Sequence, residues 1–364
     1  MIWAGVFILL LGGFLFLNAK APTGVIEWLQ SYFATLGGGS FPAPVSGSQV
    51  SSIGLRGAQP AVLTDTSLFF WNQSGKEIYC RQHGYSNPVL AVSESRLLVF
   101  GRGDATFRIE NPDRTLLTGN TENAIVSGTI AENGSFGFVT ESNGYASQLE
   151  LYSKSGQIRY RWYSSEKKLS TMDLNSTGDA AAVIGMDAVS GNLQSRLYVL
   201  DTSNANEQPI FEEAFSDCLV FSASFKTRDE LTLLADNQLI SCHLGNGRTE
   251  SFSFGRDVLK AFDDSSPSGT VLCLSVNNDT LDNRIVSFDS QGRKIDEFSV
   301  DEKVVSVAQS RRNVYVLTDK LLYLYNAAGK LLKQWELDGE GLMVRAAGNT
   351  AYVMFADGIN QYKN

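Results

Sequence analysis

The sequence has little of what enzyme sites are commonly made from. Two histidines, His83 and His243, serve 364 residues. That leaves no room for a His-rich metal centre or an extended acid–base relay. The four cysteines, Cys80, Cys218, Cys242 and Cys273, form no CxxC pair and match no zinc or cluster spacing. They read as small buried hydrophobes, with a disulfide among them left open. No GxSxG, HExxH or paired-carboxylate motif occurs. We therefore expect no catalytic, cofactor-binding or metal-binding residues, although the chain's being an enzyme stays open. Lys and Arg nowhere cluster, and the formal charge of −9 argues against a nucleic-acid partner, which needs basic contacts to phosphates. Beyond residue 40 no segment holds a long helical period.

One long apolar run does exist. Residues 2–17, "IWAGVFILLLGGFLFL", carry no charge, and Asn18, Ala19 and Lys20 follow. With the lysine stem reaching the head groups, residues 2–19 are long enough for a membrane anchor. A cleaved signal peptide is the alternative, since "AKA" at 19–21 fits small-x-small cleavage. No Lys or Arg precedes the run, so we expect the natural chain to carry a basic stretch ahead of it. Residues 22–36, "PTGVIEWLQSYFATL", place apolar side chains at helical spacing. This helix suits either the membrane interface or packing on the following domain. "GGGS" at 37–40 then breaks it and reads as a linker. The expected division is an anchor over 1–20, a juxtamembrane helix and linker over 21–39, and one domain over 40–364.

That domain is built of repeats. "VLTDTSLFFWNQSGK" (62–76) and "VLTDKLLYLYNAAGK" (316–330) align without a gap. Between and around them recurs one unit: an apolar strand, a turn with a carboxylate or amide, a second strand, a Gly turn and a third strand. A further strand precedes each unit. Four short strands every 37–51 residues is the signature of a β-propeller blade. A sandwich lacks such a repeat. The last unit, "AYVMFADGINQYKN", wants a fourth strand, and "FPAPVSG" (41–47) has no unit of its own. If 41–47 supplies it, no open sheet edge is left. The expected fold is an all-β propeller of eight blades, with seven as the alternative, behind an N-terminal transmembrane helix.

The Gly turns could cradle anions, but each sits between strands and precedes no helix, so they read as hairpins. Asp65, Glu141, Asp187, Asp236, Asp319 and Asp357 could form a cation-binding ring, but read as turn residues on separate blades. Trp162 and Trp335, after Gly turns, are similar to the repeats of quinone-cofactor propellers. No vicinal cysteines or ligand set accompany them, so no cofactor is expected. These tryptophans are expected to pack between blades.

The stretches "FPAPVSG", "AVLTDTSLFFWNQSG", "YSNPVL" and "NGYASQLELYSKSG" resemble domain-of-unknown-function family 5711. The resemblance implies a bacterial, membrane-anchored propeller with repeats like those of quinone-dependent or WD40 proteins, and carries over no activity. The expected role is an interaction platform on the outer face of the cell membrane, bound to other envelope proteins. A carbohydrate-binding or enzymatic propeller that uses its central channel is the alternative. Function in such a frame belongs to loops. The repeat breaks most at 185–195, 202–208 and 277–283. The candidate contact residues are therefore Asp187, Asn192, Gln194, Asn204, Asn206, Asn278, Asp279 and Asp282.

Overall fold

The computed structural model describes residues 23–46, 49–189, 191–204, 208–276, 281–326 and 328–364. The expected anchor over 1–20 lies outside them. Among the described residues no helix is long and apolar enough to cross a membrane.

Eight four-stranded antiparallel sheets follow one another along the chain. Blades one to seven occupy residues 50–82, 88–120, 125–164, 168–216, 220–253, 258–300 and 304–336. Blade eight, 343–363, supplies three strands, and Ala43–Pro44 pairs with Gly358–Lys363 as its fourth. The eight-blade reading therefore holds over seven.

The sequence explains why the sheets stack. Side chains on a strand alternate between its two faces. In blade one, Ala61 and Leu63 enter the cluster shared with blade two, while Val62 enters the one shared with blade eight. In blade two, Leu97 and Val99 face blade one, and Leu98 and Phe100 face blade three. Both faces are buried, so the second strands read as unbroken apolar runs. Eight buried clusters result, one at each blade–blade interface. Trp162 and Trp335 lie between blades, as expected. Their rings sit 5.1 Å from Tyr198 and 5.9 Å from Tyr362 of the next blade.

The gapless repeat at 62–76 and 316–330 is the same piece of blades one and seven. Thr64 and Thr318 each accept a backbone N–H three residues on, at 3.0 and 3.1 Å. Asn72 and Asn326 each accept two N–H groups of the following Gly turn. Gly75 and Gly329 take φ of 86° and 66°, where a side chain would strain the backbone.

The cysteines are free thiols. Cys218, Cys242 and Cys273 are buried as expected; Cys80 is exposed, because the outer strand Glu77–Gln82 has only one packed face.

Candidate functional site

Antiparallel order gives the ring two unlike ends. The proximal end carries the turns from inner to second strand and from third to outer strand. The distal end carries the second-to-third hairpins and the crossings between blades.

A cavity of about 700 Å³ opens at the proximal end, lined by the inner strands of the blades and the turns that follow them. Several charged groups in and behind its wall are tied to neighbouring blades. Asp173 of blade four accepts Phe225 N–H of blade five at 2.8 Å and the Thr129 hydroxyl of blade three at 3.0 Å. Asp263 of blade six accepts Gln309 N–H of blade seven at 2.9 Å. Both aspartates stand three residues past a β-bulge in their inner strand, so one joint is used twice. Lys226 reaches from blade five to the carbonyls of Asp264 and Ser266 in blade six.

Burial governs the charge states here. It pushes Asp173 up to about 6, against the pull of its hydrogen bonds, with the Asp264 charge adding to the rise. Burial lowers Lys226, against the neighbouring aspartates. At the rim, burial raises Glu132 to about 7, opposed by the Glu94 N–H at 2.7 Å and helped by the Glu94 charge.

The proximal end also receives the N-terminal segment. Val25–Ala34 forms the one described α-helix, α1. Arg96, in the first turn of blade two, holds both Glu27 oxygens and donates to the Lys154 carbonyl of blade three at 2.7 Å. Asn72 of blade one donates to the carbonyls of Thr35 and Gly37, and Lys76 to that of Leu36. Gly39 lies so close to the Gly75–Lys76 backbone that a Cβ there would meet Lys76 N at 2.2 Å. The "GGGS" segment is thus laid against blade one.

At the distal end, blade four stands out. Its second and third strands, Ala180–Val189 and Asn192–Asp201, have ten residues each, against five to seven in the other blades. The inner and outer strands stop opposite Met186 and Gln194, at Lys168 and Ser216. The hairpin tip overhangs by three residues, roughly 10 Å at strand rise. Asp187 is ion-paired there with Lys167, Asn192 is exposed and Gln194 half-buried.

The expected contact residues do not converge. Asn204 bonds Asp201 on the proximal end, and Asp282 is exposed at the distal hairpin of blade six, with blade five between it and blade four. Asn206, Asn278 and Asp279 lie outside the described residues. Of the six acids expected at turns, Asp187 instead lies within the strand Ala180–Val189 and pairs with Lys167. Asp65 and Asp236 each accept an N–H of the crossing into their own blade, from Gln49 and Leu219. Among the described residues no group of three or more His, Cys, Asp or Glu is placed to hold a metal. The blade joints at Asp173 and Asp263 were missed from sequence. Each is an acid at or next to the last residue of an inner strand, a place that by itself marks no joint.

A family model described as "Family of unknown function (DUF5711)" matches residues 59–363. The chain belongs to that family. No curated protein matches the sequence. Solved structures share the fold of this DUF5711 chain at low identity. BamB from Moraxella catarrhalis superposes with a TM-score of 0.56 at 12% identity, covering 88% of this chain and 98% of its own. The C-terminal WD40 domain of Sif2 gives 0.62 at 14% identity, with 89% and 98% covered. Sqt1 of Saccharomyces cerevisiae gives 0.61 at 12%, with 90% and 100% covered.

Proposed function

We propose that this DUF5711 chain is a membrane-anchored propeller, held outside the cytoplasm, that presents its distal end to other proteins of the membrane or cell envelope. The blade-four hairpin carries this reading. It overhangs the ring and shows the exposed apolar Leu193 between Asn192 and Gln194, opposite Ala188, the mixture of a contact surface. The frame behind it supports the same reading. Asp173, Asp263 and Lys226 are engaged in holding blades to one another. The anchor rests on the apolar run at 2–17, and the low-identity neighbours lend the fold alone.

A photo-crosslinker at Leu193 in the full chain tests it. Discrete adducts are expected there, absent at the exposed proximal Asn246, and lost competitively when the unlabelled chain is added. Equal labelling at both positions would overturn the platform.

The cavity favours a second reading. Ser222, Ser224, Thr227 and Ser268 line its wall, a setting for a small polyhydroxylated ligand of the glycan class. A glycan array probed with the full chain decides it: no selective binding removes this reading.

A further inference from the structure

The helix α1 is inside out. A surface helix turns its apolar stripe to the core and its polar face to water. Here Ile26, Leu29 and Phe33, at helical spacing, face outward with Tyr32 beside them, and Leu36 continues the stripe past the helix end. Ile26 is 74% exposed and Phe33 64%. The face turned to the protein is polar: Glu27 meets Arg96, and Ser31 is the buried residue of the helix.

We propose that α1 lies in the surface of a lipid bilayer, with Ile26, Leu29, Tyr32, Phe33 and Leu36 immersed, so that the proximal end of the ring faces the membrane. This deepens the anchored reading and rests on it. Three observations favour lipid over a protein partner. The outward stripe contains no charge and carries Tyr32, with Trp28 stacked on it at 5.7 Å, and such rings settle at head-group depth. The apolar run ends at Leu17, and the chain from Leu17 to Val25 spans at most roughly 28 Å, so the bilayer that takes the run is within reach. Glu27 on the polar face is held by blade two, and the carbonyls of Thr23 and Thr35 at the two ends of the helix are held by blades three and one, so the apolar face cannot turn inward without breaking those bonds. The distal hairpin then points away from the lipid.

The test places one fluorophore on the full chain in phosphatidylcholine–phosphatidylglycerol vesicles. Cys80 is replaced by Ser, and the label goes on Phe33→Cys or, as reference, Leu193→Cys. Both positions are exposed, so neither variant disturbs the core. Brominated acyl chains should quench position 33 and spare 193, and aqueous iodide should do the reverse. Vesicle-bound protein with position 33 open to iodide overturns the immersed helix and leaves the anchor standing. Position 33 shielded from both quenchers also overturns it, because protein then covers the face. A chain that stays off the vesicles removes the anchor and this inference together.

Discussion

Arg96 grips Glu27 through two hydrogen bonds, 2.8 Å from Nε and 2.7 Å from Nη2, across 69 residues of sequence. Both side chains are largely shielded, at 6% and 17% exposure. A two-point guanidinium–carboxylate contact of this kind is stronger and more directional than an open surface pair. It fixes the rotation of α1, and so decides which face of the helix looks outward.

Arg96→Ala should loosen α1 and leave the propeller folded. The local cost is about 3 kcal/mol, since a partly buried carboxylate loses its partner. Hydrogen exchange should accelerate over residues 25–36 while the blade cores keep their protection. Unchanged exchange in that segment would show that the contacts from Asn72 and Lys154 suffice.

Stability should fall as pH rises from about 4 to 7. Asp173 titrates near 6 in the fold against about 3.8 when unfolded, so the folded state holds its proton more tightly between those values. Its contribution is full below about 4, declines toward 6, and is flat above. Two units correspond to at most about 3 kcal/mol. Glu132, raised to about 7, acts with the same sign. Urea midpoints across this range should show the slope, and Asp173→Asn should flatten its lower part. An undiminished slope in that variant would clear Asp173 of the role.

Phe138→Ala should cost about 3–5 kcal/mol. The ring is fully buried between blades two and three and packs on Phe100, Phe107 and Tyr152. Thermal melting should drop for the whole ring, because each blade is half of two interfaces. A local loss confined to blade three would mean the blades melt separately.

A thiol reagent should count one reactive cysteine in the native chain and four after denaturation. Cys80 is exposed, whereas burial pushes Cys242 and Cys273 up to about 12 and so suppresses their thiolates. Mass spectrometry after native labelling checks the position.

Replacing 187–193 by a two-residue turn should leave the melting temperature within a few degrees, because these residues overhang the sheet. With the photo-crosslinker moved to Gln194, which this change keeps, adducts should disappear. A large fall in melting would instead assign the hairpin to the frame.

The repeat was legible because a blade buries both faces of its second strand, which writes runs such as "LLVF" and "AVLT" into the chain. The Gly turns and the Trp positions were legible for a similar reason: one local conformation admits few residues. The blade joints were hidden. Asp173 and Asp263 acquire their role from N–H groups 52 and 46 residues away, which no local pattern records. The helix at 25–34 was visible, but its direction was not. An apolar stripe looks the same in sequence whether it faces the core or turns outward, and only Glu27 meeting Arg96 tells the two apart. The loops chosen where the repeat breaks fell on both ends of the ring, since an insertion marks a turn but not the end that turn occupies.

The closing strand Ala43–Pro44 is two residues long and follows α1 directly in the chain. Any tension arriving from the N-terminal side must cross α1 before it reaches that strand. The grips at Arg96, Asn72 and Lys154 lie upstream of it and pass the load into blades one to three. A strand too short to bear force on its own is thereby kept out of the load path, and a tug on the chain shears the dock before it unzips the ring.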